Sequence, residues 1–428
     1  MTNPAVEPRE YTAREASSSR VPALLVRSSR IDDPGELLAL LPSEDALAWI
    51  HGGDGLVGWG RAADVSTRGP RRFDDASSWW RAVSSHSVVR DDLDVPGSGL
   101  VAFGSFTFTD DAGGSTLVVP EVVVGRRDGV SWVTVIGPGI VTIPLVETSG
   151  APDSPRGTTF ADGVVDSVTW QGLVAEAVRR IEAGGLDKVV LARDLVATFD
   201  EPLDVRAPLT RLAGEYPSCW TFYVDGFFGS TPEMLVRLER GLVTSRVLAG
   251  TIRRTGDDAH DLALAGSLAR SSKDLEEHEY AVRSVRDALA PHCTSMNVPE
   301  APFVLHLPNV MHLATDVTGV IRDESSALRL VASLHPSAAV GGTPTTEAVR
   351  LIAEIEVLER GRYAGPVGWI GASGDGEWGI GLRSAQVEDD GLRVRLFAGC
   401  GIVADSVPAD ELAESNAKLI PVRDALTP

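Results

Sequence analysis

The segment GPVGWIGASGDGEWGIGLRSAQV at residues 365–387, followed at 392–403 by LRVRLFAGCGIV, decides the fold class. Short apolar runs are broken there by glycine and by Gly- and Asp-containing turn pairs, the pattern of antiparallel strands joined by tight turns. A helical stretch around 408–420 follows at once. Upstream, Leu173, Val174, Ala177, Val178 and Ile181 recur at helical spacing within 168–183, and Gly184-Gly185 ends the run. The strand LDKVVLARDLVATF comes next, then WTFYVDGFFGS and the hairpin-like TPEMLVRLERGLVTSRVLAGT (231–251). Further helices are expected at 273–290, 324–334 and 344–359, with strands near 302–320. This order lacks the regular strand-helix alternation of a doubly wound sheet, and it predicts an α+β fold of large antiparallel β-sheets with helices packed outside.

The part from about 22 to 145 reads as short β-like runs separated by Gly, Asp and Pro. ETSGAPDSPRGTT at 147–159 reads as a connecting loop. The expected organisation is therefore a loose N-terminal tail at 1–21, a β-rich half at 22–146, the connecting loop, and a second region at 160–428 that carries the chemistry.

Of the 428 residues, 39 are Lys or Arg and 60 are Asp or Glu, a formal charge of −21. That charge repels phosphate backbones and anionic lipid, so neither nucleic acid nor a membrane surface is an expected partner. Cys219, Cys293 and Cys400 lie far apart with no metal-ligand spacing, which suits a reducing cytoplasm. The N-terminus shows no apolar signal core, and no run of about 18 apolar residues occurs, so a cytoplasmic location is expected.

Two helices carry paired acids. Asp274 and Glu277 stand three apart, as do Glu411 and Glu414, with Lys418 a turn further on. Such acids suit a hard dication such as Mg²⁺, although taken alone they are more often solvated surface. Lys188 interrupts an apolar strand; turned into a cavity it is a candidate general base, turned outward an ordinary edge lysine. Glu233 follows a Pro-initiated turn. The glycine loops VLAGT, AVGGTP and AGCGIV match neither a P-loop nor a dinucleotide fingerprint, and no GxSxG or HExxH occurs. His312 and His335 each read as satisfied core or loop histidines.

In order along the chain, LDKVVLAR, GSTPEML, VLAGT, SSKDLEEHEYAV, VMHLATDVTG, LHPSAAVGGTP, RGRYAGPVGWI, WGIGLRSAQV, LFAGCGIV and ELAESNAKL resemble the blocks of the chorismate-utilising enzymes, over residues 160–426. That family comprises isochorismate synthases, salicylate synthases and the large subunits of anthranilate and aminodeoxychorismate synthases. GGDGLVGWG and GSFTF in the first half resemble isochorismate synthases. The resemblance implies that Glu277 and Glu414 ligate Mg²⁺, with Asp274 and Glu411 beside them. It implies that Tyr363 and Arg383 grip the enolpyruvyl carboxylate, and that Gly250, Thr251, His312, Ala338, Gly399, Gly401 and Lys418 lie at further substrate or metal-proximal positions. His335 matches the histidine of the family's HPT segment.

The ammonia users lack a lysine at the place of Lys188, so the resemblance implies water as nucleophile, with Lys188, neutral through burial, as base and Glu233 as acid. Ala338-Ala339 resembles the isochorismate synthases, whereas relatives that eliminate pyruvate tend to carry Thr there. The expected reaction is chorismate to isochorismate. A salicylate synthase and a catalytically silent chorismate-binding subunit are the alternatives. The resemblance further implies no glutamine amidotransferase partner, a monomer or homodimer, and a product serving menaquinone or a siderophore, with the first half closer to the menaquinone branch. Cys400 stands where relatives commonly have Ala, Val247 where Pro is frequent, and Thr-Pro rather than Ser-Pro precedes Glu233.

Overall fold

The structure is a computed structural model describing residues 21–427, so the expected tail at 1–21 lies almost wholly outside the described residues. Two mostly antiparallel sheets dominate, one of 13 strands and one of 10 among the described residues. Sequence position does not separate them. In the larger sheet Ala46–His51 pairs with Trp220–Val224, and in the smaller Val101–Ser105 pairs with Pro366–Gly371. The β-rich first half thus extends both sheets of the second half, and residues 140–158 between them form no helix or strand.

The inner faces share one core. Trp49 from the larger sheet and Phe103 and Trp378 from the smaller lie in it, each essentially dry. Within it, Trp49 Nε1 donates to Glu377 Oε2 at 2.9 Å. The outer face of the larger sheet is covered by helices Arg206–Glu215 and Pro408–Ala425, through Leu209, Leu212, Leu419 and Val422 against Val394 and Leu396. Helices Arg72–His86, Ser272–Leu289 and Ala327–Leu334 pack about the smaller sheet.

The glycine-rich segment 365–387 forms strands Pro366–Gly371, Gly376–Ile380 and Ser384–Glu388, and the segment 392–403 forms Arg393–Ile402. Glycine is needed where strands meet bulk: a Cβ on Gly379 would lie 2.9 Å from Thr231 Cγ2 and 3.1 Å from Trp49 Cη2. The hairpin at 231–251 forms from Met234–Glu239 and Leu242–Arg253, turning through Arg240 and Gly241 at φ 48° and 82°. Those positive angles are what a two-residue turn needs to match strand twist.

The helix at 168–183 is Ser167–Glu182, capped by the Asp166 carboxylate accepting from Thr169 N–H. The terminal helix runs five residues past the expected end, through Pro421 to Ala425, while the one expected over 344–359 stops at Ile355. The first half also holds a helix that the β-like reading missed, Arg72–His86. Its Phe73, Ala76, Trp80 and Val83 fall at offsets of three, four and three and are buried together, a helical stripe hidden by the serines and acids around it.

Candidate active site

A cavity of about 230 Å³ opens where the two sheets meet. Strand Lys188–Thr198 contributes Lys188 and Val190, and strand Arg393–Ile402 contributes Gly399 and Gly401, both from the larger sheet. Leu248 to Thr251 and His312 come from the smaller sheet. Helix Ser272–Leu289 brings Asp274 and Glu277, and helix Pro408–Ala425 brings Glu411, Glu414 and Lys418. Segments more than 200 residues apart thus converge, which antiparallel pairing over long connections makes possible.

Lys188 begins its strand and is 9% exposed. Its Nζ donates to Glu277 Oε1 at 2.5 Å. This corrects the expectation of an amine kept neutral by apolar surroundings alone: its immediate partner is a carboxylate. Gly401 leaves the room for it, because a Cβ there would stand 2.6 Å from Lys188 Cε. Glu233 lies just before strand Met234–Glu239 and is 5% exposed. Burial pushes its carboxyl up to about 8, against the opposing pull of Lys188 and Arg383, so it is mostly protonated at neutral pH. Base and acid candidates therefore line one cavity, near enough for their charges to interact.

His312 is buried, and its imidazole is pulled down to about 3 by burial and by the Arg383 charge. Nε2 faces Arg383 Nη2 at 3.5 Å. A guanidinium only donates, so Nε2 accepts and the proton sits on Nδ1, which is 3.0 Å from Thr251 Oγ1. The pair holds Arg383 in place without adding charge. Arg383 itself adopts φ 47°, an unusual backbone angle for a non-glycine residue. Tyr363 stacks on Phe397 with ring centroids 5.2 Å apart, and burial pushes its phenol up to about 12, so it remains a neutral donor. A Cβ on Gly399 would stand 2.9 Å from that hydroxyl.

Lys418 Nζ donates to Glu414 Oε1 at 2.6 Å and to the Gly399 carbonyl at 2.9 Å. Burial alone would raise the Glu414 carboxyl, but Lys418, followed by Arg383 and Lys188, holds it below the usual range. Burial works against the Lys418 charge and the Glu414 carboxylate opposes that effect by charge and hydrogen bond, and on balance the ammonium is held above its ordinary value. Ser406 Oγ donates to Glu411 Oε1 at 2.7 Å. Gly250 takes φ 78° with its Cβ direction facing Asp274, which lets the VLAGT backbone pass close to the acid-bearing helix.

One expected contact falls elsewhere. Ala338 is buried behind the wall, and its neighbour Ala339 lines the cavity, because the HPSAAVGG loop turns by one residue relative to the expectation. His335 also lies away from the cavity. It is packed among Phe73 and Phe108 with Nε2 2.9 Å from the Phe108 carbonyl, a satisfied core histidine. Sequence reading missed Val190, Leu248, Leu382 and Ser406 on the lining. The first three have no polar signal, and Ser406 has none beyond its place just before the acid-bearing helix. It also missed the Lys188–Glu277 pair, whose partners are 89 residues apart.

Four carboxylates, Asp274, Glu277, Glu411 and Glu414, thus face three basic side chains, Lys188, Arg383 and Lys418, across one cavity. Cys400 Sγ lies within 4.8 Å of ligand atoms of Glu411 and Glu414. Its thiol donates to the Glu411 carbonyl at 3.3 Å, and burial pushes it far up, so it is a protonated thiol and no thiolate ligand or nucleophile. The donor set is hard oxygen.

A sequence profile of chorismate binding enzymes matches residues 42–137 and 145–427. The chain is 36% identical over 266 residues to the isochorismate synthase MenF of Bacillus subtilis, an alignment covering 61% of this chain and 56% of that protein. It is 39% identical over 257 residues to the isochorismate synthase DhbC of the same organism, covering 57% of this chain and 64% of that one. The chain spans less than two thirds of the length of either relative. The solved structure of MenF, the menaquinone-specific isochorismate synthase from Escherichia coli, shares the fold at a TM-score of 0.79 and 25% identity, covering 96% of this chain and 97% of that one. Matched by the profile through both of its halves, the chain belongs to the family of chorismate-binding enzymes.

Proposed function

We propose that the protein is an isochorismate synthase, which adds water at C2 of chorismate and expels the C4 hydroxyl as the ring double bonds shift. The observation that carries this reading is the pairing, in one cavity, of a lysine amine with a buried carboxyl that stays protonated at neutral pH. Lys188, acting in its unprotonated amine form, takes a proton from the attacking water, and Glu233 gives one to the departing hydroxyl, so one water enters and one leaves. Arg383 and Tyr363 bind the enolpyruvyl carboxylate, the first by paired charge-assisted hydrogen bonds and the second by its phenol O–H. Thr251 and His312 keep Arg383 aimed. Gly399 and Gly401, having no side chain, leave room for the Tyr363 hydroxyl and the Lys188 side chain at the cavity wall.

The donor set fits Mg²⁺. Four carboxylates against three basic side chains leave the cavity short of positive charge for a dianionic substrate, and hard oxygen ligands suit a small dication that keeps some waters. Glu277 and Glu414 would hold the ion, with Asp274 and Glu411 beside them, and the ion would supply a positive anchor for the ring carboxylate. Glu277 has two partners in this reading: it holds Lys188, and it belongs to the set that suits the ion. No helix among the described residues is long and apolar enough to cross a membrane.

The test is to incubate the protein with chorismate and Mg²⁺, with and without EDTA, and to separate the products by chromatography. Isochorismate formed at catalytic enzyme levels and abolished by EDTA is the expected result. Pyruvate with fluorescent salicylate would instead make the protein a salicylate synthase, and stable chorismate would make it a binding subunit.

A further inference from the structure

Arg193 follows Lys188 by five positions on one strand, so strand alternation puts it on the other face of the larger sheet, away from the cavity. It is 2% exposed. Its Nη1 donates to Asn416 Oδ1 at 2.8 Å and to Ser415 Oγ at 3.2 Å, on the turn of the terminal helix directly after Glu414. Its Nη2 reaches Ser167 Oγ at 3.3 Å and Asp162 Oδ1 at 3.4 Å. Nε has no hydrogen-bond partner.

Stability does not account for this arrangement. A buried guanidinium with one long ion pair to a half-exposed aspartate and an unpaired Nε is a costly way to fill space, and an apolar side chain of similar length would pack there without the desolvation penalty. What Arg193 does achieve is geometric. Its Nη1 ties the strand that carries Lys188 to the helical turn that carries Glu414 and, one turn on, Lys418, while Nη2 anchors the guanidinium to Ser167 and Asp162. Those are the two walls across which the reaction needs a fixed spacing.

We propose that Arg193 is a positioning residue: through Ser415 and Asn416 it fixes Glu414 for metal binding relative to Lys188. This rests on the reading of Glu414 as a metal-holding acid. An outer partner that orients a ligating carboxylate typically changes metal affinity by ~10–100-fold when removed.

The test uses the full chain. Arg193→Met keeps the stem and removes the fork, Arg193→Lys keeps the charge without the fork, and Asn416→Ala removes the shortest of the four bonds from an exposed helix position. Mg²⁺ affinity is measured by titration calorimetry without substrate, beside kcat and the KM for chorismate. The expected result is Mg²⁺ binding weakened about tenfold in Arg193→Met, less in Arg193→Lys, and a double variant Arg193→Met/Asn416→Ala no weaker than Arg193→Met alone.

Wild-type Mg²⁺ affinity in Arg193→Met, or effects that add fully in the double variant, overturns the proposal. If Arg193→Met does not fold, Asn416→Ala decides: weaker Mg²⁺ binding at an unchanged melting point supports the proposal, and wild-type affinity overturns it. Because calorimetry needs no turnover, a protein inactive on chorismate would refute the proposed function while leaving the role of Arg193 to stand or fall on its own.

Discussion

Replacing Glu233 with glutamine probes the most consequential feature of the cavity, a carboxyl kept protonated by burial. Glutamine copies the shape and neutrality of the acid and cannot ionise. In the folded protein the carboxyl titrates at about 8, against 4.5 for a free glutamate. Below pH 4.5 both folded and unfolded chains hold the proton, and the group contributes no pH dependence. Between 4.5 and about 8 the unfolded chain releases it and the folded one keeps it, so wild-type stability falls as pH rises through that window.

Each pH unit is worth ~1.4 kcal/mol, so the loss is ~3 kcal/mol at neutral pH and ~5 kcal/mol above pH 8. Glu233→Gln escapes the loss. Urea unfolding of both proteins in EDTA at pH 5 and pH 8.5 isolates the effect, since all other groups cancel in the difference. The variant is expected to gain several kcal/mol on wild type between the two pH values. A gap that stays constant with pH would show that Glu233 is ionised in the fold and would remove it as the acid.

Lys188→Ala is expected to lower kcat by ~10²–10⁴-fold while chorismate binding, followed by equilibrium fluorescence, changes little; near-normal turnover would exclude Lys188 as base. The activity of the wild type is expected to fall as pH rises through about 8, because Glu233 must carry its proton to donate it, and a rate still climbing at pH 9 would contradict that assignment. Gly401→Ala puts a Cβ 2.6 Å from Lys188 Cε and displaces the amine. A loss of about 10²-fold in kcat with an unchanged melting point is expected, read by steady-state kinetics and calorimetry.

Sequence alone reached the sheets, because the glycine-punctuated runs at 365–403 have only one good reading. It missed Arg72–His86, where a helical stripe of four apolar residues is diluted by serine and acid. It also divided the chain at a loop that is real as a loop, yet the strands on either side join the same two sheets; pairing between Val101–Ser105 and Pro366–Gly371 leaves no trace in local pattern.

The acids of the cavity could be named by resemblance, and spacing could not separate them from surface acids. The partners of those acids are set by tertiary contact, so the Lys188–Glu277 pair and the bonds of Arg193 Nη1 to Ser415 and Asn416 were beyond its reach. The one-residue difference at Ala338 and Ala339 has the same origin, a loop whose turn is fixed by packing.

Turnover of chorismate in ¹⁸O-labelled water, with the product analysed by mass spectrometry, tests the central claim that water held by Lys188 replaces the C4 hydroxyl. Isochorismate carrying one ¹⁸O at the C2 hydroxyl is the expected product. Isochorismate that retains only the original oxygen would mean that the hydroxyl migrates within the substrate, and neither Lys188 nor Glu233 would have the part assigned to it.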